Sequence, residues 1–224
     1  MRKPIFKMPE ETSIKILYLN IPDNTGRGFG IFLEEVRSSG LNLHPLEGRV
    51  QTVHILGQWL ALKLLKDWGA QDTPGTICFS SFGKPYIPGA LSFNISHSKT
   101  MIVCAAAAHG GIGIDVESIA PLDWKQYQDS FSSSEWTKIS SARDPSSALL
   151  ERWTKKESLV KADGRGLQIP LSDVTLHEQY GTIGNEQKRW YIKPVLFDGY
   201  FCHVSTEFPV AKILLEEAMI FPDT

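Results

Sequence analysis

Apolar and polar residues alternate along "TSIKILYLNI", which predicts a strand near the start of the chain. "GFGIFLEEVRSSG" predicts a short helix closed by Gly40. In "VQTVHILGQWLALKLLKDWG" the apolar residues Val53, Leu56, Leu60, Leu64 and Leu65 fall at helical spacing, and Gly69 supplies a stop. That segment predicts a long helix. "TICFS" and "LSFNIS" predict strands on either side of the turn-rich "SFGKPYIPGA". In "LSFNIS" the alternation sets Phe93 and Ile95 inward and Asn94 and Ser96 outward. "TMIVCAAAA" and "GGIGIDVE" predict two more strands joined by a tight His-Gly-Gly turn.

A second run of elements follows a break near Pro121. "DWKQYQDSF" predicts a helix, and "SSSEWTKISSA" a second one whose serines can cap the turn before Glu135. "PSSALLERWTKKESLVKADG" carries the clearest helical pattern, started at Pro145 or a nearby serine and ended at Gly164. "DVTLHE", "RWYIKPVLF", "YFCHVSTE" and "AKILLEEAMIF" predict strands or short elements. Each half runs from helix to antiparallel strands, so the expected fold class is α+β, with two similar lobes spanning residues 1–119 and 120–224.

Composition narrows the function classes. The 224 residues suffice for a real core, and the 42% hydrophobic and 21% charged fractions are ordinary for a globular protein. A net charge of -2 argues against a general nucleic-acid binder. Three widely spaced cysteines, Cys78, Cys104 and Cys202, suggest neither a disulfide framework nor a zinc site, and apolar neighbours predict buried thiols. "MRKPIFKMPEE" has no apolar stretch of signal-peptide length, and no segment approaches the roughly 20 apolar residues of a membrane span. The expected setting is the cytoplasm, without a membrane partner.

The candidate chemistry begins with "GIGIDVE". Asp115 and Glu117 are two apart on a predicted strand, so both point to one side. Two ionised carboxylates that close repel one another. They can be solvated at a strand end, each paired with a cation, or joined by a hard dication such as Mg2+. The pair alone favours the solvated reading. The helix "ERWTKKESLVKADG" shifts the balance, because Trp153, Glu157 and Lys161 share a face and the tryptophan draws the other two towards an interior or a cleft. Glu151, Lys155 and Lys156 fall on other faces and suit a surface Glu–Lys arrangement. "FNISHS" offers hydroxyl and imidazole groups that suit phosphate oxygens, or an Asn/Ser/His turn that satisfies backbone groups. Adjacent strand residues point apart, so a Ser96–His97 nucleophile pair is not expected. "FGKP" alone is a turn carrying the point cation Lys84.

Together "FGKP", "FNISHS", "GIGIDVE", "FSSSE" and "WTKKESLVKADGRGL" resemble the 4'-phosphopantetheinyl transferases of the Sfp-type monomeric class. The blocks occur in family order across the middle third of the chain. The resemblance implies transfer of the phosphopantetheine arm of coenzyme A to a serine of an acyl or peptidyl carrier protein, with release of adenosine 3',5'-bisphosphate. It implies Asp115, Glu117 and Glu157 as Mg2+ ligands, Glu157 also as the general base, and Lys161 as the cation that steadies the pyrophosphate. It implies Ser96 and His97 as phosphate contacts, and Lys84 with Pro85 as part of the nucleotide pocket. The family's fold is a pseudo-twofold pair of α+β lobes with coenzyme A in the cleft between them. The first third is sparse in the basic residues that the family uses for the 3'-phosphate. Arg49 and Lys63 are what the resemblance leaves for that role, with His54 as a substitute.

Two other functions use the same residues. A Mg2+-dependent phosphohydrolase would need the carboxylates but leaves "FNISHS" and the helix block unexplained as a set. A non-catalytic module binding coenzyme A or carriers would have no need of Asp115, Glu117, Glu157 and Lys161 together. The carrier is expected to dock on exposed apolar residues near Phe131 and Trp136.

Overall fold

The structure, a computed structural model, describes residues 12–21, 30, 36, 48–68 and 77–219. Strand β1 (Ser13–Asn20) follows the alternation of its sequence. Helix α1 (Gly48–Asp67) is the long helix that the apolar spacing predicts. The helix expected to end at Gly40 lies outside the described residues, apart from helical Gly30 and Val36, and so does the stop at Gly69. A short hairpin, β2 (Cys78–Phe79) and β3 (Pro85–Tyr86), leads to β4 (Ser92–Ser98), β5 (Met101–Ala107) and β6 (Ile112–Ser118). After a 3-10 helix (Trp124–Ser130) come α2 (Ser133–Ser140) and α3 (Pro145–Asp163). The chain then forms β7 (Val174–Leu176), β8 (Tyr180–Ile183), β9 (Trp190–Pro194), β10 (Tyr200–Thr206) and β11 (Lys212–Glu217).

The strands form two larger sheets, ordered β11-β1-β5-β4 and β6-β10-β9-β8-β7. Helix α1 covers one face of the first sheet, where Leu56, Leu60 and Leu64 cluster with Leu17, Phe93 and Ile102. The opposite face of that sheet meets the second sheet, through Ile14, Ile16 and Val103 against Ile114, Val116 and Val204. Helix α3 covers the outer face of the second sheet, burying Leu159, Val160 and Ala162 with Val174, Ile183 and Trp190. The order of layers is helix, sheet, sheet, helix, a mixed α+β architecture.

Two expectations change. β5 and β6 are not a hairpin: β5 pairs with β1 and β4, whereas β6 pairs with β10. The His-Gly-Gly segment carries the chain from one sheet to the other: β5 is a central strand of the first sheet and β6 the end strand of the second. The division at 119/120 does not coincide with the sheets either. β6 precedes it yet belongs to the second sheet, and β11 returns to pair in parallel with β1.

Local signals explain the helices around the candidate site. Ser132 and Glu135 form a capping box at the start of α2, each side chain accepting from the other's backbone N–H. Asp144 caps α3, Pro145 occupies its first turn, and Gly164 ends it in the left-handed region at φ 94°. Lys156 is a correction: expected on a solvated face, it is fully buried. Its ammonium meets Glu135 at 2.8 Å and the carbonyls of Leu171 at 2.9 Å and Ser130 at 3.3 Å. The packing of α2 and the 3-10 helix onto α3 closes over that face, and the buried charge is tolerated because it is paired and hydrogen-bonded.

β6 and α3 lie very close together. A Cβ at Gly113 would fall 2.1 Å from the carbonyl oxygen of Ser158, and one at Gly111 2.7 Å from that of Ala162. These glycines let the helix rest on the strand backbone. Gly113→Ala is therefore expected to force the two apart at about 1–3 kcal/mol or more. Thermal denaturation should show a Tm lowered by at least about 2–4 °C per kcal/mol for a chain of this length, and an unchanged Tm would contradict the packing.

Candidate active site

Both faces of β4 are engaged. Ile95 and His97 face α1, where a Cβ on Gly57 would lie 3.1 Å from Ile95 Cγ2 and the His54 and His97 rings are 6.0 Å apart. The alternate residues, Asn94, Ser96 and Ser98, face β6. Asn94 and Ser96 were expected outward but are buried. One edge of β6 is paired with β10, and the N–H groups on its other edge point at these side chains. The Ile114 N–H donates to Asn94 Oδ1 at 2.9 Å, that of Val116 to Ser96 Oγ at 3.4 Å, and that of Ser118 to Ser98 Oγ at 3.1 Å. The two hydroxyls in turn donate to the carboxylates of β6: Ser96 to Asp115 Oδ1 at 3.0 Å and Ser98 to Glu117 Oε2 at 2.8 Å.

Asp115 and Glu117 project from β6 on the side of Gly113, towards α3. Lys161, in the last turn of that helix, donates to Asp115 Oδ1 at 2.6 Å and to Ser96 Oγ at 3.1 Å. Asp115 is only 4% exposed, and its buried Oδ2 has no hydrogen-bond partner among the described residues. Burial pushes the Asp115 carboxyl above its usual range, against the pull of Lys161. Glu157 is raised by burial first and by Asp115 next. Glu117 is raised by burial, with the Ser98 hydrogen bond opposing. Among the described residues, three carboxyls thus share one region of negative potential with the Lys161 ammonium at its edge.

Whether these groups suit a metal can be judged from their chemistry. Among the described residues no group of three His, Cys, Asp or Glu is gathered closely enough to hold an ion as the side chains stand. The donors are nevertheless all oxygens, mutually repelling, and one buried oxygen of Asp115 has no partner. That set fits a hard dication, which would satisfy the orphaned oxygen and relieve the repulsion.

The other candidates distribute unevenly. His97 keeps a solvent-exposed edge beside this cluster, and partial desolvation of its ring, then His54 and Lys161, lower its pKa. The Ser96 hydroxyl donates to Asp115 and accepts from the Val116 N–H and from Lys161. Pro85 lines a cleft of about 340 Å3 with Tyr86, Ile87 and Phe93. Lys84 lines the same cleft, but its Nζ is bonded to three backbone carbonyls. Lys63 pairs with Asp67 at 2.9 Å and lies nine residues from His54, about half a turn round the helix, so it does not join the cluster. The Arg49 side chain lies outside the described residues. Trp153 meets Tyr127 edge-on at 5.4 Å and lines a cleft of about 270 Å3 with Glu117 and Leu122. Phe131 is buried against Ile139 and Leu149, so it is core and not an exposed docking contact, and Trp136 packs on the same cluster.

Three groups escaped the sequence reading. Asn94 and Ser98 share the period of Ser96, a signal that was present in "FNISHS". His203, opposite Asp115 on β10, is bonded through Nδ1 to Thr154 Oγ1 at 2.8 Å, and burial lowers its pKa to about 4. No periodicity marks it, since only strand register sets it there.

Residues 111–211 match the family described as the 4'-phosphopantetheinyl transferase superfamily. The chain is similar to the 4'-phosphopantetheinyl transferase gsp of Aneurinibacillus migulanus, at 30% identity over 212 residues, 87% of this chain and 86% of that protein. It is 32% identical to the 4'-phosphopantetheinyl transferase Sfp of Bacillus subtilis (strain 168) over 154 residues, 62% of this chain and 68% of that one. Over 125 residues it is 34% identical to the 4'-phosphopantetheinyl transferase AcpT of Salmonella typhimurium, covering 53% of this chain and 65% of that one.

A carboxyl whose pKa is raised on folding binds its proton more tightly in the folded protein. Its stabilising contribution is complete at low pH and is lost as pH rises from the ordinary carboxylate range through the raised value. Without divalent cations the wild type should lose stability over that window. Glu157→Gln is expected to melt a few degrees higher than wild type at about pH 8 in EDTA, roughly the shift for 1 kcal/mol in a chain of this length. A lower Tm for the variant would show that the carboxylate is favourably paired.

Proposed function

The chain belongs to the 4'-phosphopantetheinyl transferase superfamily, and from that membership we propose how its own residues move phosphopantetheine from coenzyme A to a carrier protein. Coenzyme A is the donor substrate, and an acyl or peptidyl carrier protein is the acceptor. Transfer of this kind depends on charge neutralisation and in-line positioning more than on covalent chemistry with the enzyme.

Glu157 takes the proton of the carrier serine hydroxyl. The serine oxygen attacks the phosphorus that bears the pantetheine arm, and the P–O bond to adenosine 3',5'-bisphosphate breaks. A carboxyl raised by burial and by neighbouring carboxylates is a stronger base than a solvated one, which suits the role. Lys161 lies one turn along the same helix face and places an ammonium where the pyrophosphate charge builds up. Asp115, Glu117 and Glu157 would hold Mg2+, which when bound supplies charge neutralisation for the pyrophosphate. His97 faces the phosphates of coenzyme A from β4, with His54 beside it on α1. Pro85 lines the cleft that suits the nucleotide.

The observation that carries the reading is the buried, unpartnered Oδ2 of Asp115 beside Glu117, Glu157 and Lys161. Incubation with coenzyme A, Mg2+ and apo carrier proteins, followed by mass spectrometry, tests it. The carrier should gain one phosphopantetheine arm. Glu157→Ala should lower the rate by about 10²–10⁴-fold, the usual worth of a general base, and Asp115→Ala should abolish loading with the far-ultraviolet dichroism unchanged. Phosphate release from small esters with no mass gain on any carrier would point to a phosphohydrolase instead.

A further inference from the structure

Lys84 belongs to "FGKP", which the resemblance assigns to the nucleotide pocket, but its ammonium is directed elsewhere. Nζ donates to the carbonyls of Lys161 at 2.7 Å, Ala162 at 3.0 Å and Ile112 at 3.0 Å. An ammonium has three donors, and each of them finds an acceptor here. Two of these carbonyls lie in the last turn of α3, where the helix leaves its carbonyls without internal partners and its dipole is negative. The third is on the first residue of β6. A single cation therefore joins the helix that carries Glu157 and Lys161 to the strand that carries Asp115 and Glu117.

The surrounding sequence is shaped around this contact. The β2–β3 hairpin aims the lysine: Gly83 turns at φ 81°, and its N–H donates to the Ser80 carbonyl at 2.9 Å. Ser80 N–H donates to the Lys84 carbonyl at 2.9 Å, and Ser80 Oγ accepts from Lys84 N–H at 3.1 Å. On the other side, a Cβ at Gly164 would lie 3.2 Å from Lys84 Cδ, and one at Gly166 3.6 Å from the Phe82 carbonyl oxygen. "FGKP" and "ADGRGL" are thus the two halves of one joint. Burial lowers the Lys84 pKa to about 8, still on the charged side of neutrality.

Resting on the transfer reading above, we propose that the ammonium of Lys84 is a positioning group: it fixes the last turn of α3 against β6 and thereby sets the Lys161 ammonium on Asp115, and it is not spent on the nucleotide. Its bond to the carbonyl of Lys161 itself makes this link direct. Loss of the joint leaves partly buried carbonyls unpaired and frees the helix end. Misplacement of a catalytic group by about 1 Å costs about 10²-fold in rate.

Steady-state kinetics of the full chain with coenzyme A and apo carrier separates positioning from binding. K84M should lose about 10²-fold in kcat with the KM for coenzyme A changed by less than about 3-fold, whereas K84R should recover kcat to within about 10-fold of wild type. Amide hydrogen exchange adds a readout that needs no activity. Residues 160–164 should exchange at least about 10-fold faster in K84M than in wild type, and K84R should restore protection. Unchanged exchange there in K84M would overturn the proposal, whether or not the wild type loads a carrier. A raised KM with unchanged kcat would overturn it too and return Lys84 to the nucleotide. If K84M does not fold, K84R decides on the same split: a reduced kcat at constant KM supports the joint, and a raised KM at constant kcat refutes it. Failure of wild type to load any apo carrier would count against the transfer reading and leave the exchange result to judge Lys84.

Discussion

Asn94, Ser96 and Ser98 close one edge of β6 with side chains, where a neighbouring strand would close it with backbone. Buried N–H groups left unpaired cost about as much as lost hydrogen bonds. Three short polar residues at a period of two match a strand edge because both repeat every second residue. This seam is where the first sheet meets the second. It also fixes the candidate site, because Ser96 and Ser98 donate to Asp115 and Glu117 while accepting from the backbone beside them. The strand is thereby held in register, and its carboxylates are aimed.

Helix α3 supplies the other half of the site, and two buried or half-buried lysines tether it. Lys156 ties its middle to Glu135, which also closes the capping box of α2. Lys84 ties its end to β6. Neither ammonium is free in solvent, and both have their pKa lowered by burial. Gly111 and Gly113 complete the arrangement by removing the side chains that would keep the helix away. Close approach is what brings Lys161 within 2.6 Å of Asp115. The carboxyls accept a repulsive, desolvated setting, and such settings are where perturbed acids and bases of active sites are found.

Local chemistry was well represented in the sequence. The strands and long helices follow their apolar periods, and Ser132, Pro145 and Gly164 mark helix ends through capping rules that act over a few residues. The shared face of Glu157 and Lys161 and the shared side of Asp115 and Glu117 also follow from element geometry alone. Lys156 and Phe131 were misplaced for a common reason: their burial comes from α2 and the 3-10 helix folding back over α3, a contact no local pattern encodes. Asn94 and Ser96 looked outward because polar residues on an alternating strand usually meet water. Here they meet another strand's edge.

What the sequence determined by itself was most of the elements, the ends marked by Ser132, Pro145 and Gly164, and which functional groups share a face within each element; the short strands β3 and β8 were not among them. Those properties depend on backbone periods and on partners a few residues away. Tertiary structure decided which sheet each strand joins, so that β5 and β6 part company and β11 returns to β1. It also decided which polar groups are committed to the scaffold and which stay available for chemistry. Lys84, Lys156 and Lys161 are all lysines of recognisable motifs, yet only packing distinguishes the two that hold carbonyls and Glu135 from the one that faces the carboxylates. An ammonium takes whichever acceptors burial leaves within reach, and those acceptors lie far away in sequence.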